Sequence, residues 1–272
     1  MSQIGFNRDR AARNKGLRFY EKSHRYKLDG EWVPGVTTIL GVLNKPALPK
    51  WAAGQVAEFV ADNREHVEHL YAAGRGPMVA ALKEMPWQRR DDAAHRGTTF
   101  HDFAERIAKG EEVDVPDEQV PLVESCLAFM DDFGIGADAL AEVCVGSREH
   151  RYAGKVDLIA NGAIWDYKSG KRIYASTAYQ LSAYANADFY SDGEGGEEHA
   201  LPTIEAAYGV HIREDGYDVL PLAYGPDVWA EFLHIRAAFD ANKRAEGDWK
   251  TPGSGYVGLP LDPAIYHSGA SA

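Results

Sequence analysis

The sequence predicts an α/β fold, a mixed β-sheet flanked by helices, and three observations predict it. Residues 153–170, AGKVDLIANGAIWDYKSG, read as two apolar strands joined by Asn161-Gly162, the dipeptide that most favours a two-residue hairpin turn. Stretches with helical spacing of apolar residues precede and follow this hairpin. A strand followed by a crossover helix and another strand calls for a parallel pair, whereas the Asn-Gly hairpin calls for an antiparallel one. A mixed sheet with helices packed on it satisfies both.

In chain order, residues 1–23 read as a basic arm. Residues 24–40, HRYKLDGEWVPGVTTIL, read as a small hairpin turning at Asp29-Gly30, with a helix starting near Thr37 or Thr38. From Leu48 to about Leu70 the spacing predicts a helix with Trp51, Val56, Phe59 and Val60 facing inward. The AAGRGP patch interrupts it, and a further helical stretch ends near Arg90. A separate helix over 98–109 follows, with Thr99 and Asp102 spaced as a capping box and Gly110 placed as a C-terminal stop.

The pattern then predicts a helix over 118–133 stopped by Gly134, a strand near 139–146, the Asn-Gly hairpin, and a helix over 174–190. SDGEGGEEH reads as an exposed loop. Strands over 204–213 and 217–223 form a second hairpin around Asp215-Gly216, and a helix covers 227–245. One domain therefore spans 24–248, its hairpin and helical part over 24–96 and its core over 97–248. Residues 249–272 form a Gly/Pro/Ser-rich tail.

With 272 residues the chain can bury a sizeable core. Its 45% apolar and 26% charged content are those of a soluble globular protein, with no apolar run that spans a bilayer and no secretory leader. Two cysteines, Cys126 and Cys144, are too few for a disulfide framework or a four-thiolate metal site, which points to a reducing cytoplasm. The net charge of −12 argues against a protein that coats nucleic acid. Residues 1–50, however, hold ten Lys/Arg against four Asp/Glu, so a basic arm on an acidic body can still meet phosphates locally.

Chemistry is concentrated on the hairpin. A two-residue turn pairs Leu158 with Trp165 and Asp157 with Asp166. Strict alternation then puts Val156, Leu158, Ala160, Ala163, Trp165 and Tyr167 on one face, and Lys155, Asp157, Asp166 and Lys168 on the other. Two readings fit the facing carboxylates: an exposed surface with diagonal ion pairs, or a divalent cation held between them. Lys168 emerges on the same face, where an ammonium can hold a phosphate oxygen, or deprotonate water if desolvation lowers its pKa. His101 and Glu105 lie four apart beside the apolar stripe of the 98–109 helix, and Gln180 and Tyr184 share the face of another. His66 and His69 in HVEH lack a third ligand for zinc.

The ordered set GTTFH (97–101), GKVD (154–157), DYK (166–168) and QLSAY (180–184) resembles the RecB-type branch of the PD-(D/E)xK nucleases. YKLDGEWVPGVTTIL and KPALPKWAA resemble N-terminal segments of phage-encoded members. The resemblance implies a restriction-endonuclease-like αβββαβ core with helical N-terminal additions, and DNA cleavage with Mg²⁺ or Mn²⁺. It implies that His101, Asp157, Asp166 and the Tyr167 carbonyl ligate metal, that Lys168 is catalytic, and that Glu142 is a supporting acid. Glu105 is a further candidate, and Gln180 and Tyr184 would position the lysine and the DNA backbone.

Some relatives hold an iron–sulfur cluster with four cysteines, which this chain lacks, and no phosphate-binding loop of a helicase is present. The implied activity is a stand-alone exonuclease of recombination, repair or replication, in bacterial or phage-infected cytoplasm, with a recombinase or single-strand-binding protein as partner and no membrane. The alternatives are a structure-specific endonuclease of the same fold and an inactive DNA-binding module. Arg8, Arg10, Arg13, Lys15 and Arg18 are candidates for guiding the DNA backbone. Tyr26, Trp32 and Trp51 are candidates either for stacking on an unpaired base or for core packing.

Overall fold

In a computed structural model the described chain opens with a small antiparallel sheet of β1 (Leu17–Tyr20), β2 (Arg25–Leu28) and β3 (Glu31–Val33). Asp29 and Gly30 join β2 to β3 with both residues left-handed (φ 51° and 85°), as a tight hairpin requires. Helices α1 (Val36–Ile39), α2 (Ala47–Asp62), α3 (Arg64–Ala72), α4 (Arg75–Ala108) and α5 (Val120–Asp132) follow. Then come β4 (Leu140–Ser147), β5 (Tyr152–Ala160), β6 (Ala163–Lys168), α6 (Ser176–Ala185), β7 (Phe189–Ser191), β8 (Ala206–Arg213), β9 (Gly216–Pro221) and α7 (Pro226–Glu246). The structure describes residues 15–257 except 44, 109–110, 137, 171, 249–250 and 252–253, and the side chains at 91–96, 98 and 108. Arg8, Arg10, Arg13, Gly110 and most of the expected tail lie outside the described residues.

The second sheet has the order β7-β4-β5-β6-β8-β9, with β6 and β8 parallel and the other neighbours antiparallel. The fold is therefore mixed α/β, with helices on both faces. One face packs α1, α6 and α7 through Val36, Ile39, Leu181 and Phe232 against Val145, Tyr152, Ile159 and Ile164. The other packs Phe100 of α4 and Phe129 of α5 against Leu158, Trp165, Tyr167 and Val210. The small sheet covers Cys144, Ala153 and Phe189 with Leu17, Tyr26, Leu28 and Val33.

Asn161 and Gly162 turn left-handed (φ 54° and 72°), and the pairs Leu158–Trp165, Ile159–Ile164 and Ala160–Ala163 form as expected. Beyond them the strict alternation fails. Val156 packs with the α6/α7 face rather than with Leu158 and Trp165. The cause lies in β4, where Glu142 takes a left-handed backbone (φ 55°) and the ladder with β5 skips the 142–157 pair. Ala141 packs toward α4, whereas Val143 packs toward α6/α7, so both strands exchange faces at this point.

Other expectations also change. Leu17–Tyr20 belongs to a sheet, with Leu17 fully buried, because the Leu17/Phe19 alternation pairs with β2 inside the expected arm. The separate helices ending near Arg90 and starting at 98 are one helix, α4, which carries Pro86 in its interior. No glycine or proline separates Arg90 from Gly97, so Thr99 is an interior residue rather than a cap. Helix α2 buries none of its residues, and Val60 is exposed, because α2 packs on α3 and α4. The expected 174–190 helix stops at Ala185. Asp188 then accepts from Ser147 Oγ and the Arg148 N–H, seating β7 on β4.

Gly154 shows how closely α6 approaches the sheet: a Cβ there would lie 2.1 Å from Tyr184 Cε1. The Gly154→Ala substitution should therefore lower stability by roughly 1–3 kcal/mol or more, the usual cost of overpacking a full site. Urea denaturation would measure this, and the penalty should shrink in a Tyr184→Leu background where the obstructing ring is gone.

Candidate metal centre

Phe100, fully buried under the sheet, fixes the rotation of α4, and the next residue, His101, comes to the rim of that core. The unpaired positions 142 and 157 bring their carboxylates to the same place. His101 Nδ1 lies 3.5 Å from Glu142 Oε1 and 3.6 Å from Asp157 Oδ1. One potential ligand atom from each of His101, Glu142 and Asp157 falls within 4.8 Å of the others, a three-residue group able to hold a metal ion among the described residues. Lys155, on β5, reaches Glu142 Oε2 at 2.7 Å.

Asp157 and Asp166 do not share a face as the alternation predicted. Asp157 Oδ2 accepts the Tyr167 N–H at 2.7 Å, a side chain standing in for a ladder bond. Asp166 points to α6, is 1% exposed, and its Oδ1 accepts from Gln180 Nε2 at 3.0 Å. Its Oδ2 lies 2.6 Å from Lys168 Nζ. Gln180 also donates to the Tyr184 hydroxyl at 3.3 Å. The chain of contacts Tyr184–Gln180–Asp166–Lys168 thus fixes the ammonium through three buried or half-buried partners.

These surroundings set the protonation states. Burial alone would lower the His101 pKa, but Asp157 and Glu142 outweigh it and raise it to about 9. Burial raises Asp157 to about 6, with nearby Asp166 adding to the rise and His101 opposing it. Burial would likewise raise Glu142, yet the His101 hydrogen bond and the charge of Lys155 hold it below its ordinary range. For Lys168, burial acts downward, but Asp166 and Asp157 win and push its pKa up. Of the two roles the sequence left open for Lys168, this favours the ammonium that holds a phosphate oxygen over the neutral base: two carboxylates keep Lys168 charged.

A cleft of about 410 Å³ opens over the group, lined on one side by Gly97, His101, Glu105, Lys168 and Ser169 and on the other by Phe19, His24 and Tyr26. The structure brings His101, Asp157, Lys168, the Tyr167 backbone and Glu142 together, and gives Glu142 a position equal to that of Asp157. Glu105 lines the same cleft. Tyr184 is buried, so it supports Gln180 and cannot meet a DNA backbone. Lys15 and Arg18 do not line the cleft, and Arg18 instead packs its guanidinium against Gly195. Of the aromatic candidates, Tyr26 is core, Trp51 is half-buried and Trp32 is exposed.

Sequence spacing gave Lys155, inside the GKVD motif, only a place among surface ion pairs, and gave no role to Phe19 and His24. The last two reach the cleft only because the small sheet docks on β4 and β5. No family model matches the chain, and no curated protein matches it.

The metal-free centre should make stability depend on pH. His101 titrates at about 9 when folded and near 6.5 when unfolded, so its contribution is complete below pH 6.5 and is lost as pH rises through 9. Urea denaturation in EDTA should show a loss of about 3 kcal/mol across that window. The slope should flatten in His101→Gln.

Proposed function

We propose that this chain is a metal-dependent nuclease that hydrolyses phosphodiester bonds in DNA, an exonuclease of the RecB-type PD-(D/E)xK kind. One observation carries the reading: His101, Glu142 and Asp157 converge at the floor of an open cleft with the Lys168 ammonium beside them. Two carboxylates and one imidazole, without a thiolate, fit Mn²⁺ or Mg²⁺. The order α4, β4, β5, β6, α6, β8, with β8 parallel to β6, supports the restriction-endonuclease-like core. No helix among the described residues is long and apolar enough to cross a membrane.

Each residue has a distinct task in this reading. His101, Glu142 and Asp157 would hold the divalent ion, whose chemistry is Lewis-acid stabilisation of charge developing on a phosphoryl oxygen. Lys168, kept charged by Asp166 and Asp157, supplies a fixed positive charge to a phosphate in the cleft. Gln180 clamps Asp166 and so keeps the ammonium in place before substrate arrives. Lys155 neutralises Glu142 from the side away from His101.

End-labelled linear DNA incubated with Mg²⁺ or Mn²⁺ tests the proposal, with EDTA as control. We expect metal-dependent shortening from an end, and no cutting of a covalently closed single-stranded circle. Lys168→Ala should slow cleavage about 10²–10³-fold, the usual loss of one oxyanion-stabilising donor, with the fold retained. Glu142→Gln and Asp157→Asn should each abolish binding of Mn²⁺ measured by calorimetry. Full activity in Lys168→Ala would reject the site, and cutting of the circle would replace the exonuclease by an endonuclease.

A further inference from the structure

The small sheet has two unlike faces. Leu17, Tyr26, Leu28 and Val33 point inward to the core. The alternate residues Arg18, Tyr20, Arg25, Lys27 and Trp32 point outward. In the cross-strand register Arg18 pairs with Lys27 and Lys27 with Trp32, while Tyr20 pairs with Arg25. Three cations and two aromatics thus occupy adjoining positions, on a chain whose net charge is −12.

Packing on this face is specific. Trp32 is 47% exposed and Tyr20 40% exposed, with ring centroids 5.2 Å apart. Arg25 Cζ lies 3.9 Å, and Lys27 Nζ 4.9 Å, from the Trp32 ring centroid. The acids of the β2–β3 turn and β3 are engaged elsewhere, Asp29 with Arg148 and Glu31 with Arg151. No carboxylate among the described residues pairs with Arg25 or Lys27. At the outer edge of β1, Glu194 bridges to Arg18 through the backbone, so the acidic 192–198 loop borders the patch on that side.

We propose that this face binds single-stranded DNA, with Tyr20 and Trp32 stacking on unpaired bases and Arg25 and Lys27 holding the flanking phosphates. Interleaved aromatics and cations suit an unpaired strand, because every base offers a π-face and a duplex hides it. Charge complementarity to a polyanion selects the occupant, and cations that also pack the Trp32 ring pre-order the platform. The face joins the cleft at the end of β1. Phe19, Glu21, His24 and Tyr26 line the cleft, whereas Tyr20 and Arg25, interspersed among them in sequence, lie on the outward side. A strand leaving the cleft over the 21–24 turn therefore meets Tyr20 and Arg25 first, then Trp32. The choice of DNA as the occupant rests on the nuclease reading; the stacking surface itself does not.

The test is fluorescence anisotropy of labelled oligo(dT) with the full chain in EDTA, which reads binding without cleavage. Trp32→Ala should weaken binding about tenfold, the scale of one lost stacking contact. Lys27→Glu should weaken it further and lower the slope of log K against log salt by at least about 0.7, the value for one lost phosphate contact on a single strand. Thermal melts should confirm that changes at exposed Trp32 and half-buried Lys27 leave the fold intact. Metal-dependent hydrolysis of bis(p-nitrophenyl) phosphate, too small to reach the platform, should be unchanged in both variants. Wild-type affinity in both variants overturns the proposal even if cleavage persists. Equal Trp32-dependent binding of duplex DNA or of oligo(U) overturns the choice of occupant. Absence of any metal-dependent hydrolysis with platform binding intact removes the nuclease reading alone.

Discussion

A single defect in the sheet organises the candidate site. Where β4 meets β5, residues 142 and 157 do not pair, and Glu142 is held left-handed. A non-glycine residue in that conformation costs on the order of 1–3 kcal/mol and persists only where its surroundings over-determine it. Here they do: the strands resume pairing on both sides, at Ala141–Leu158 and Val143–Val156. The defect turns two consecutive residues of each strand toward α4, and those extra positions are the two carboxylates facing His101. A regular ladder would have pointed Asp157 toward α6 and left His101 without an acidic partner.

Burying acids in this way demands compensation, since an unpaired buried charge costs several kcal/mol. Glu142, Asp157 and Asp166 are matched by Lys155, His101 and Lys168, each within 4 Å of a carboxylate oxygen. The balance holds while His101 carries a proton, which is why its pKa is driven up so far. The group is thus neutral yet built from full charges, an arrangement that a cation competing with the His101 proton can enter. Asp166 has a different place in this network. It is buried, clamped by Gln180, and sets the position and charge of Lys168 rather than joining the three-residue group.

Helix α6 is the second fixed support. Its approach is so close that Gly154 has room for no side chain, because the Tyr184 ring lies where a Cβ would be. Tyr152 donates its hydroxyl to the Ala183 carbonyl at 2.6 Å and anchors the same turn of helix. Two motifs far apart in sequence, GKVD and QLSAY, therefore form one packing unit, and Gln180 inherits its aim from it.

The sequence by itself determined the local features. Asn161-Gly162 and Asp29-Gly30 mark their hairpins because left-handed residues are strongly typed by side chain, and the β5–β6 register follows from turn length. The apolar periods placed β4, β5, β6, β8, β9 and most helices but missed β1 and β7. It was the resemblance of the motif order, rather than spacing, that grouped His101, Asp157, Asp166, Lys168 and Gln180. Tertiary packing alone decided the rest. The left-handed Glu142 carries no glycine or asparagine signature, so nothing local announces the exchange of faces that separates Asp157 from Asp166. Likewise, whether Lys168 is charged depends on carboxylates contributed by two strands, and the cleft wall of Phe19 and His24 exists only where two sheets meet. Alternation and turn type are properties of neighbouring residues, whereas the break in alternation and the electrostatics are properties of contacts the chain makes with itself across long separations.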